Sequence, residues 1–260
     1  MATGVFKTTK KDNSVYYRTS INFKGKHISL GSFEREADAI NCYTYAKLCL
    51  YDDSYTISGY SKDYSISFNK WVILVNFRDN NIYFPNPIYI YKNYFLYYLD
   101  EETILKFDRD DLFYYSSHKI MKRGGHLFVS DYGMQYNLLN RYGIMSYGVK
   151  SRDYAFRNGD EHDFRYENIE VLNSYRGVRK TDDSYEVYIH VNGNIKVGTY
   201  DSNIKAAIAY NKAADILSHS PESRKYQLNY VAEVSPKEYA DIYSEISVSR
   251  KLYTIFSNNQ

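Results

Sequence analysis

The stretch 153–173, DYAFRNGDEHDFRYENIEVLN, gathers Asp, Glu, His, Arg and Asn into one short polar run. These are the residue types of a metal-dependent nuclease site. Such a site activates water with a general base and holds a divalent cation against the scissile phosphate. Within the run, His162 and the acidic group Asp160, Glu161 and Asp163 are the candidates for that chemistry. A charge run in a loop is equally what a solvated surface looks like, so the elements that hold these side chains decide between the two.

The chain of 260 residues, 44% hydrophobic, is long enough for one large domain or two to three small ones with real cores. Its 32 Tyr against 13 Gly and 4 Pro favour strand-rich structure with amphipathic surfaces; an AT-rich coding sequence would produce the same excess. A net charge of +2 does not announce nucleic-acid binding, but the charge is unevenly spread. Residues 1–33 carry Lys7, Lys10, Lys11, Arg18, Lys24 and Lys26 against Asp12, whereas 100–111 carry Asp100, Glu101, Glu102, Asp108, Asp110 and Asp111 against Lys106 and Arg109. Cys42 and Cys49 fall two turns apart on one face of a helical pattern, so they read as buried free thiols of a reducing compartment. No C-x-x-C occurs, which argues against a structural zinc site. The opening MATGVFKTTKKDNS has no apolar core, and no apolar run approaches the ~20 residues that span a bilayer. The expectation is a soluble, cytoplasmic protein with no membrane partner.

The two ends of the chain repeat each other. Gly4-Val5 matches Gly177-Val178, Gly31-Ser32-Phe33 matches Gly198-Thr199-Tyr200, and Ala39, Tyr43 and Ala46 match Ala206, Tyr210 and Ala213. Each copy reads as a short strand, a second alternating strand, a turn, a third strand and a helix; in the second copy Asn192-Gly193 is a two-residue hairpin signal. Ile204, Ala207, Ile208 and Leu217, with Ala206, Ala213 and Ala214, give the second helix an apolar face of small residues that can approach a sheet closely.

YRGVRK at 175–180, VGTY at 197–200 and AAIAYNKAAD at 206–215 resemble the ethylene-response-factor (Apetala-two) DNA-binding domain, whose pattern runs YRGVR, LGTF, AAxAYDxAA. The match extends to LNY at 228–230 and is weaker, though in register, over 3–57. The resemblance implies a three-stranded sheet entering the DNA major groove, which at roughly 12 Å wide admits a β-ribbon. It assigns DNA contact to Arg176, Arg179 and Lys180. Tyr188, His190, Asn194 and Lys196 stand where the family has Glu, Arg, Arg and Trp; of these, Tyr188, His190 and Lys196 join the candidate contacts. In the first copy the matching positions are Thr3, Phe6, Ser20, Asn22, His27 and Ser29, with Lys7, Lys10 and Lys11 alongside; Lys7, Lys10, Arg18, Asn22 and His27 are the candidates there. The changed positions leave a second option open, a sheet kept as scaffold whose face meets another partner.

Between the copies, 88–112 reads as strand, hairpin, strand and acidic turn, 124–145 as strands and a short helix, and KWVILVNF at 70–77 as a buried strand. LLNRYGIM and FRNGDEHDFRYENIEVL resemble the phage-type HNH homing endonucleases, over about 86–173. Aligned on Asn168-Ile169, the position of the family's base histidine is Phe156, the preceding ligand position is Ala155, and the histidine of its L-H-R helix is Asn140. Phenylalanine accepts no proton and alanine binds no metal. The stretch that carries a further metal-binding Asn after the motif is also shortened here, since EVLNS runs into YRGVR. His162 falls in the variable loop, facing solvent, and His118 and His126 precede the motif as surface or packing residues. No catalytic residue, metal ligand or cofactor is therefore assigned.

Ser235, Pro236 and Glu238 form a capping box, and Tyr239, Ile242, Tyr243 and Ile246 follow as one apolar stripe that packs on the protein's own body or, alternatively, on a partner. The expected fold is α+β. Two modules of three-stranded antiparallel sheet plus helix, 1–57 and 174–232, flank a linker and strand region at 58–85 and a degenerate HNH-like core at 86–173, with a C-terminal helix in 233–260. The expected function is binding of double-stranded DNA without cleavage, by a protein of phage or mobile-element origin acting in a bacterial cell. The alternative is an inhibitor that binds a host defence protein complex.

Overall fold

Lys24 (φ +44°) and Gly25 (φ +75°) both take left-handed backbone, the two-residue turn whose twist matches the flanking strands, and the chain doubles back there. The computed structural model describes residues 4–9, 11–218 and 225–255. They fall into two compact units, Met1–Leu138 with Asn158–Asn168, and Leu139–Arg157 with Ile169–Gln260. The predicted segment 86–173 is divided between these units.

In the first unit β1 (Val5–Thr9), β2 (Val15–Phe23) and β3 (Lys26–Phe33) form an antiparallel sheet in that order. The helix α1 (Glu36–Tyr51) packs Cys42, Ala46, Cys49 and Leu50 into one core with Ile21, Phe23, Ile28 and Leu30. Both cysteines are buried and free, as their spacing suggested.

The run at 70–77, expected as a buried strand, is instead the middle of a helix, α2 (Phe68–Asn80). A continuous apolar run suits a buried helix as well as a buried strand, and the ends decide. Ser67 accepts a hydrogen bond from Lys70 N–H at 3.3 Å, and Asn81 closes the helix in left-handed backbone at φ +59°. Every residue from Trp71 to Phe77 is buried, so no polar stripe betrays the helical period. Arg78 then ties α2 to the end of α1, its Nη1 donating to the carbonyls of Cys49, Asp52 and Tyr55 at 2.8, 2.9 and 2.8 Å.

The rest of this unit holds two further three-stranded antiparallel sheets. One is β4 (Ile88–Ile90), β5 (Tyr94–Tyr98) and β6 (Ile104–Asp108), and after α3 (Leu112–Ser117) come β7 (Ile120–Arg123), β8 (His126–Asp131) and β9 (Met134–Asn137). The loop 158–168 runs along β6: Lys106 N–H donates to the His162 carbonyl at 2.9 Å, and Phe164 N–H donates to the Lys106 carbonyl at 2.7 Å.

In the second unit β10 (Tyr154–Phe156) pairs with β11 (Ile169–Val171), and β12 (Val178–Lys180), β13 (Tyr185–His190) and β14 (Asn194–Tyr200) form a sheet in that order. The Asn192-Gly193 signal produces a hairpin, but with His190 paired to Asn194 the connection is three residues, not two. The helix α4 (Asn203–Ser218) buries Ala206, Ala207, Ile208, Ala213, Ala214 and Leu217 against Val178, Val187, Ile189 and Val197. The likeness of the two sheets extends to an irregularity in the middle strand, between Thr19 and Ser20 in one and Val187 and Tyr188 in the other.

Ser235 accepts from Glu238 N–H at 3.2 Å and starts α5 (Pro236–Glu245), the N-cap half of the expected capping box. Its stripe packs on the core of its own unit. Lys212 on α4 donates to the carbonyls of Tyr243 and Ile246 at 2.7 and 2.8 Å, and Tyr243 Oη donates to Asp215 at 2.8 Å. A short α6 (Lys251–Thr254) adds Leu252 to the same core. The fold is α+β, and among the described residues no helix is long and apolar enough to cross a membrane.

Candidate nucleic-acid interface

Alternation along a strand sends residues to opposite faces, so the register of β12–β14 sorts the predicted contacts. Val178, Val187 and Gly198 are paired on the side of α4; Arg179, Glu186 and Thr199 are paired on the other. Tyr188 beside Lys196, and His190 beside Asn194, continue that outer face. Lys180 shares the parity of buried Val178, so it stands at the end of the sheet on the helix side rather than on the outer face.

Three interactions organise the outer face. The Arg179 guanidinium lies 4.4 Å from the centre of the Tyr188 ring, a cation–π contact. His190 Nδ1 and Asn194 Oδ1 are hydrogen-bonded at 3.1 Å. Glu186, which sequence reasoning passed over, is ion-paired with Lys196 and accepts from Tyr188 Oη at 3.1 Å. The hydrogen bond from Lys196, then that from Tyr188, holds the Glu186 carboxyl below its ordinary range, and Glu186 in turn raises Lys196. The parity of Glu186, two and four residues before Tyr188 and His190, was the signal that would have found it.

Arg176 precedes the sheet and is fixed through its backbone. Its N–H donates to Asn229 Oδ1 at 2.7 Å, and its carbonyl accepts from Asn229 Nδ2 at 3.1 Å. Asn229 is buried and is gripped by Asn211 of α4: Asn229 N–H donates to Asn211 Oδ1 at 2.7 Å, and Asn211 Nδ2 donates to the Asn229 carbonyl at 2.9 Å. The Arg176 guanidinium donates to Gln227 Oε1 at 2.7 Å and lies 5.5 Å from the centre of the Tyr147 ring. Tyr147 and Arg152 thereby join Arg176, Arg179, Tyr188 and His190 around a cavity of about 310 Å³. No sequence pattern links the 145–153 loop to this edge.

In the first module Phe6 is paired with Arg18, Arg18 with Ser32, Ser20 with Ser29, and Asn22 with His27, all on the face away from α1. Arg18, Asn22 and His27 are exposed. Lys7 shares the parity of buried Val5 and is the counterpart of Lys180, so it too leaves the outer face. Lys10, with Thr3, lies outside the described residues. His27 Nδ1 and Asn22 Oδ1 are bonded at 3.0 Å, the same His–Asn partnership that closes the other module's hairpin with the two residue types exchanged.

The stretch that first suggested metal chemistry is engaged in holding itself together. Asp163 is buried and accepts from Arg165 Nε at 2.8 Å, Arg165 Nη2 at 2.6 Å and Asn158 Nδ2 at 3.1 Å. Asn168, also buried, accepts from Asn158 N–H at 2.8 Å and donates to the Asp163 carbonyl at 2.8 Å. Asp160 accepts from His162 N–H at 2.9 Å, and the His162 side chain is more than half exposed. Phe156 pairs with Ile169 and Ala155 with Glu170 across the short hairpin. Asn140 accepts from Ser146 Oγ at 3.1 Å. His118 stacks on Tyr114 at 4.2 Å, a packing residue, and His126 is exposed. Among the described residues no group of three or more His, Cys, Asp or Glu side chains is disposed to hold a metal ion.

Asp153 is the other buried acid of the stretch. Burial works to raise its carboxyl, but hydrogen bonds from Arg152, Val149 N–H and Asn173 outweigh it and hold the group below the usual carboxylate range. Its carbonyl accepts from Leu172 N–H and Asn173 N–H at 2.9 and 3.0 Å, so it organises the hairpin. Comparison with protein-family models, curated proteins and solved structures finds no match to this chain.

Proposed function

We propose that this chain binds double-stranded DNA through the outer faces of its two three-stranded sheets, and that it does not cleave it. The observation that carries the proposal is the outer face of β12–β14. There Arg179, Tyr188, His190, Asn194 and Lys196 stand together on a face that turns away from its helix, with Arg176 at the edge. A twisted β-ribbon with donors on one face is a shape the major groove accepts. Two such modules on one chain act with a raised effective concentration, so modest contacts in each yield useful affinity. The resemblance to homing endonucleases supports an origin in a phage or mobile element. Phe156 and Ala155 at the positions of its working residues support loss of cleavage.

The test is anisotropy of a labelled duplex titrated with protein from ~50 mM salt upward. With five or so phosphates neutralised, log affinity falls against log salt with a slope near −0.9 per phosphate. No binding at ~50 mM salt would sink the reading. Plasmid that stays intact with Mg²⁺ and Mn²⁺ supports the non-cleaving form, and nicking abolished by His162→Ala overturns it.

A second reading, a protein-directed inhibitor of a host defence complex, has one specific observation in its favour. Tyr132 is 96% exposed at the tip of the β8–β9 hairpin, in left-handed backbone at φ +47°, with Met134, two residues on, 56% exposed. Aromatic residues held outward in this way are typical anchors of protein contacts. Capture of a partner that survives nuclease treatment and is lost in Tyr132→Ser would favour this reading over DNA binding.

A further inference from the structure

The first unit contains a cavity of about 500 Å³ that neither sheet face uses. Phe68 and Tyr98 form one aromatic wall, with ring centres 5.9 Å apart, and Tyr89 and Tyr91, 5.1 Å apart, form another. Asp79 and Glu101 are its acidic members and Arg78 its one basic member.

The charges are not equal in what they can offer. Arg78 is committed: Nη1 serves the carbonyls of Cys49, Asp52 and Tyr55, and Nε donates to Asp79 at 2.6 Å. Its donors are therefore turned to the protein, and an anion entering the cavity would meet Asp79 and Glu101 instead. Asp79 keeps one further contact, accepting from Tyr89 Oη at 3.0 Å. Glu101 is about half exposed and, among the described residues, is ion-paired only with the highly exposed Lys62 at 3.6 Å, a surface pair of little strength.

Tyr98 supplies the second, independent observation. The residue is only 6% exposed, it lines the cavity, and among the described residues no group hydrogen-bonds its hydroxyl. A buried phenol normally finds a partner. Here the hydroxyl is left to whatever fills the cavity.

We propose that this cavity binds an organic cation, an alkylammonium or guanidinium group, with the charge against the aromatic faces and Glu101 and an N–H donated to Tyr98 Oη. Ring faces attract cations through their quadrupole, most strongly where water is excluded. The neighbouring edge of the same tyrosine cluster already does this within the protein: Tyr94 stacks on Tyr91 at 4.8 Å, and Lys106 Nζ lies 4.4 Å from the centre of the Tyr94 ring. The occupant fits the chemistry of a polyamine or of a basic side chain presented by a partner, which share the group recognised.

The experiment is a titration of the full chain at constant ionic strength with n-butylammonium, tetramethylammonium and the uncharged butan-1-ol, read by tyrosine ring shifts in NMR. Both cations should saturate and move Tyr91 and Tyr98, and butan-1-ol should bind at least about tenfold more weakly. Glu101→Gln should weaken both cations roughly 3- to 10-fold. Tyr98→Phe, which removes no internal hydrogen bond, should weaken butylammonium but leave tetramethylammonium unchanged, because only the former has N–H to donate. Equal binding of butan-1-ol, no saturation below ~50 mM, or cation binding indifferent to both substitutions would overturn the proposal. None of these outcomes depends on whether the chain binds DNA.

Discussion

Gly177 lies against the ring of Tyr210, so closely that a β-carbon there would collide with the ring and with the Tyr188 carbonyl. Its φ of +74° is itself a conformation side chains avoid. Gly4 stands in the same relation to Tyr43 and the Ser20 carbonyl, at φ +88°. In each module the carbonyl of that glycine accepts from the middle strand, from Tyr188 N–H at 2.8 Å in one and Ser20 N–H at 3.0 Å in the other. The glycine therefore sets how closely the first strand approaches both the sheet and the helix. Gly177→Ala should destabilise by roughly 2–5 kcal/mol, combining backbone strain with overpacking. Gly59→Ala, which meets nothing closer than 3.4 Å and has no positive φ, should be near neutral. Urea unfolding of the two variants distinguishes them.

This pairing explains why the repeat was legible. Gly4 with Tyr43 and Gly177 with Tyr210 are identical letters at matching positions, because the contact tolerates no other size at the glycine. Periodicity likewise located the helix from 203 to 218 and the capped helix that starts at Pro236. It misled at 70–77, where burial on all sides erased the polar stripe and only the Ser67 cap betrayed a helix. The outer faces were legible in part. Parity removes Lys7 and Lys180 from them and adds Glu186, and a count of basic residues cannot register that. The Tyr147 and Arg152 wall was not legible at all, since it depends on where a loop some thirty residues away in sequence is folded.

The Asn211 side chain grips the main chain of Asn229, and the Asn229 side chain in turn holds the backbone of Arg176. Asn229→Ala leaves the Arg176 N–H without its acceptor and the Arg176 carbonyl without its donor, while the Asn211 side chain keeps its bonds to the main chain of residue 229. A cost of about 2–4 kcal/mol follows from stranding buried donors and acceptors. The specific readout is amide exchange: Arg176 N–H should lose protection more than the β13 amides, which keep their strand partners. Uniform loss across the sheet would mean that Asn229 supports the whole module rather than this residue.

Glu186 neutralises Lys196 in the middle of the face proposed to meet DNA. With the carboxylate removed, Lys196 becomes available to a phosphate. Glu186→Gln should therefore raise duplex affinity and steepen the dependence of log affinity on log salt by up to about 0.9. Arg179→Ala should move the slope the opposite way. A fall in affinity on Glu186→Gln would show that the carboxylate's role is to orient Lys196 and Tyr188 rather than to cancel charge.

Cys42 and Cys49 make the stability of the first unit depend on alkaline pH. Burial is the main cause that pushes each thiol up, from 9.0 to about 12. Lys70 beside Cys42, and Arg78 beside Cys49, oppose the shift without cancelling it. A folded-state value above the unfolded one means that the stabilisation is complete below pH 9 and is lost as pH rises toward 12. By pH 11 the loss is on the order of 3 kcal/mol per thiol. The phenols of half-buried Tyr89 and buried Tyr97 shift in the same direction, whereas burial lowers Lys70 and so acts in the opposite sense. The thiol contribution is isolated by comparing urea midpoints at pH 8 and pH 11 for the natural chain and for Cys42→Ala with Cys49→Ala. The double variant should be less stable at pH 8, having lost packing, but should lose less between pH 8 and pH 11. An identical drop in both chains would mean that the thiols do not titrate with unfolding.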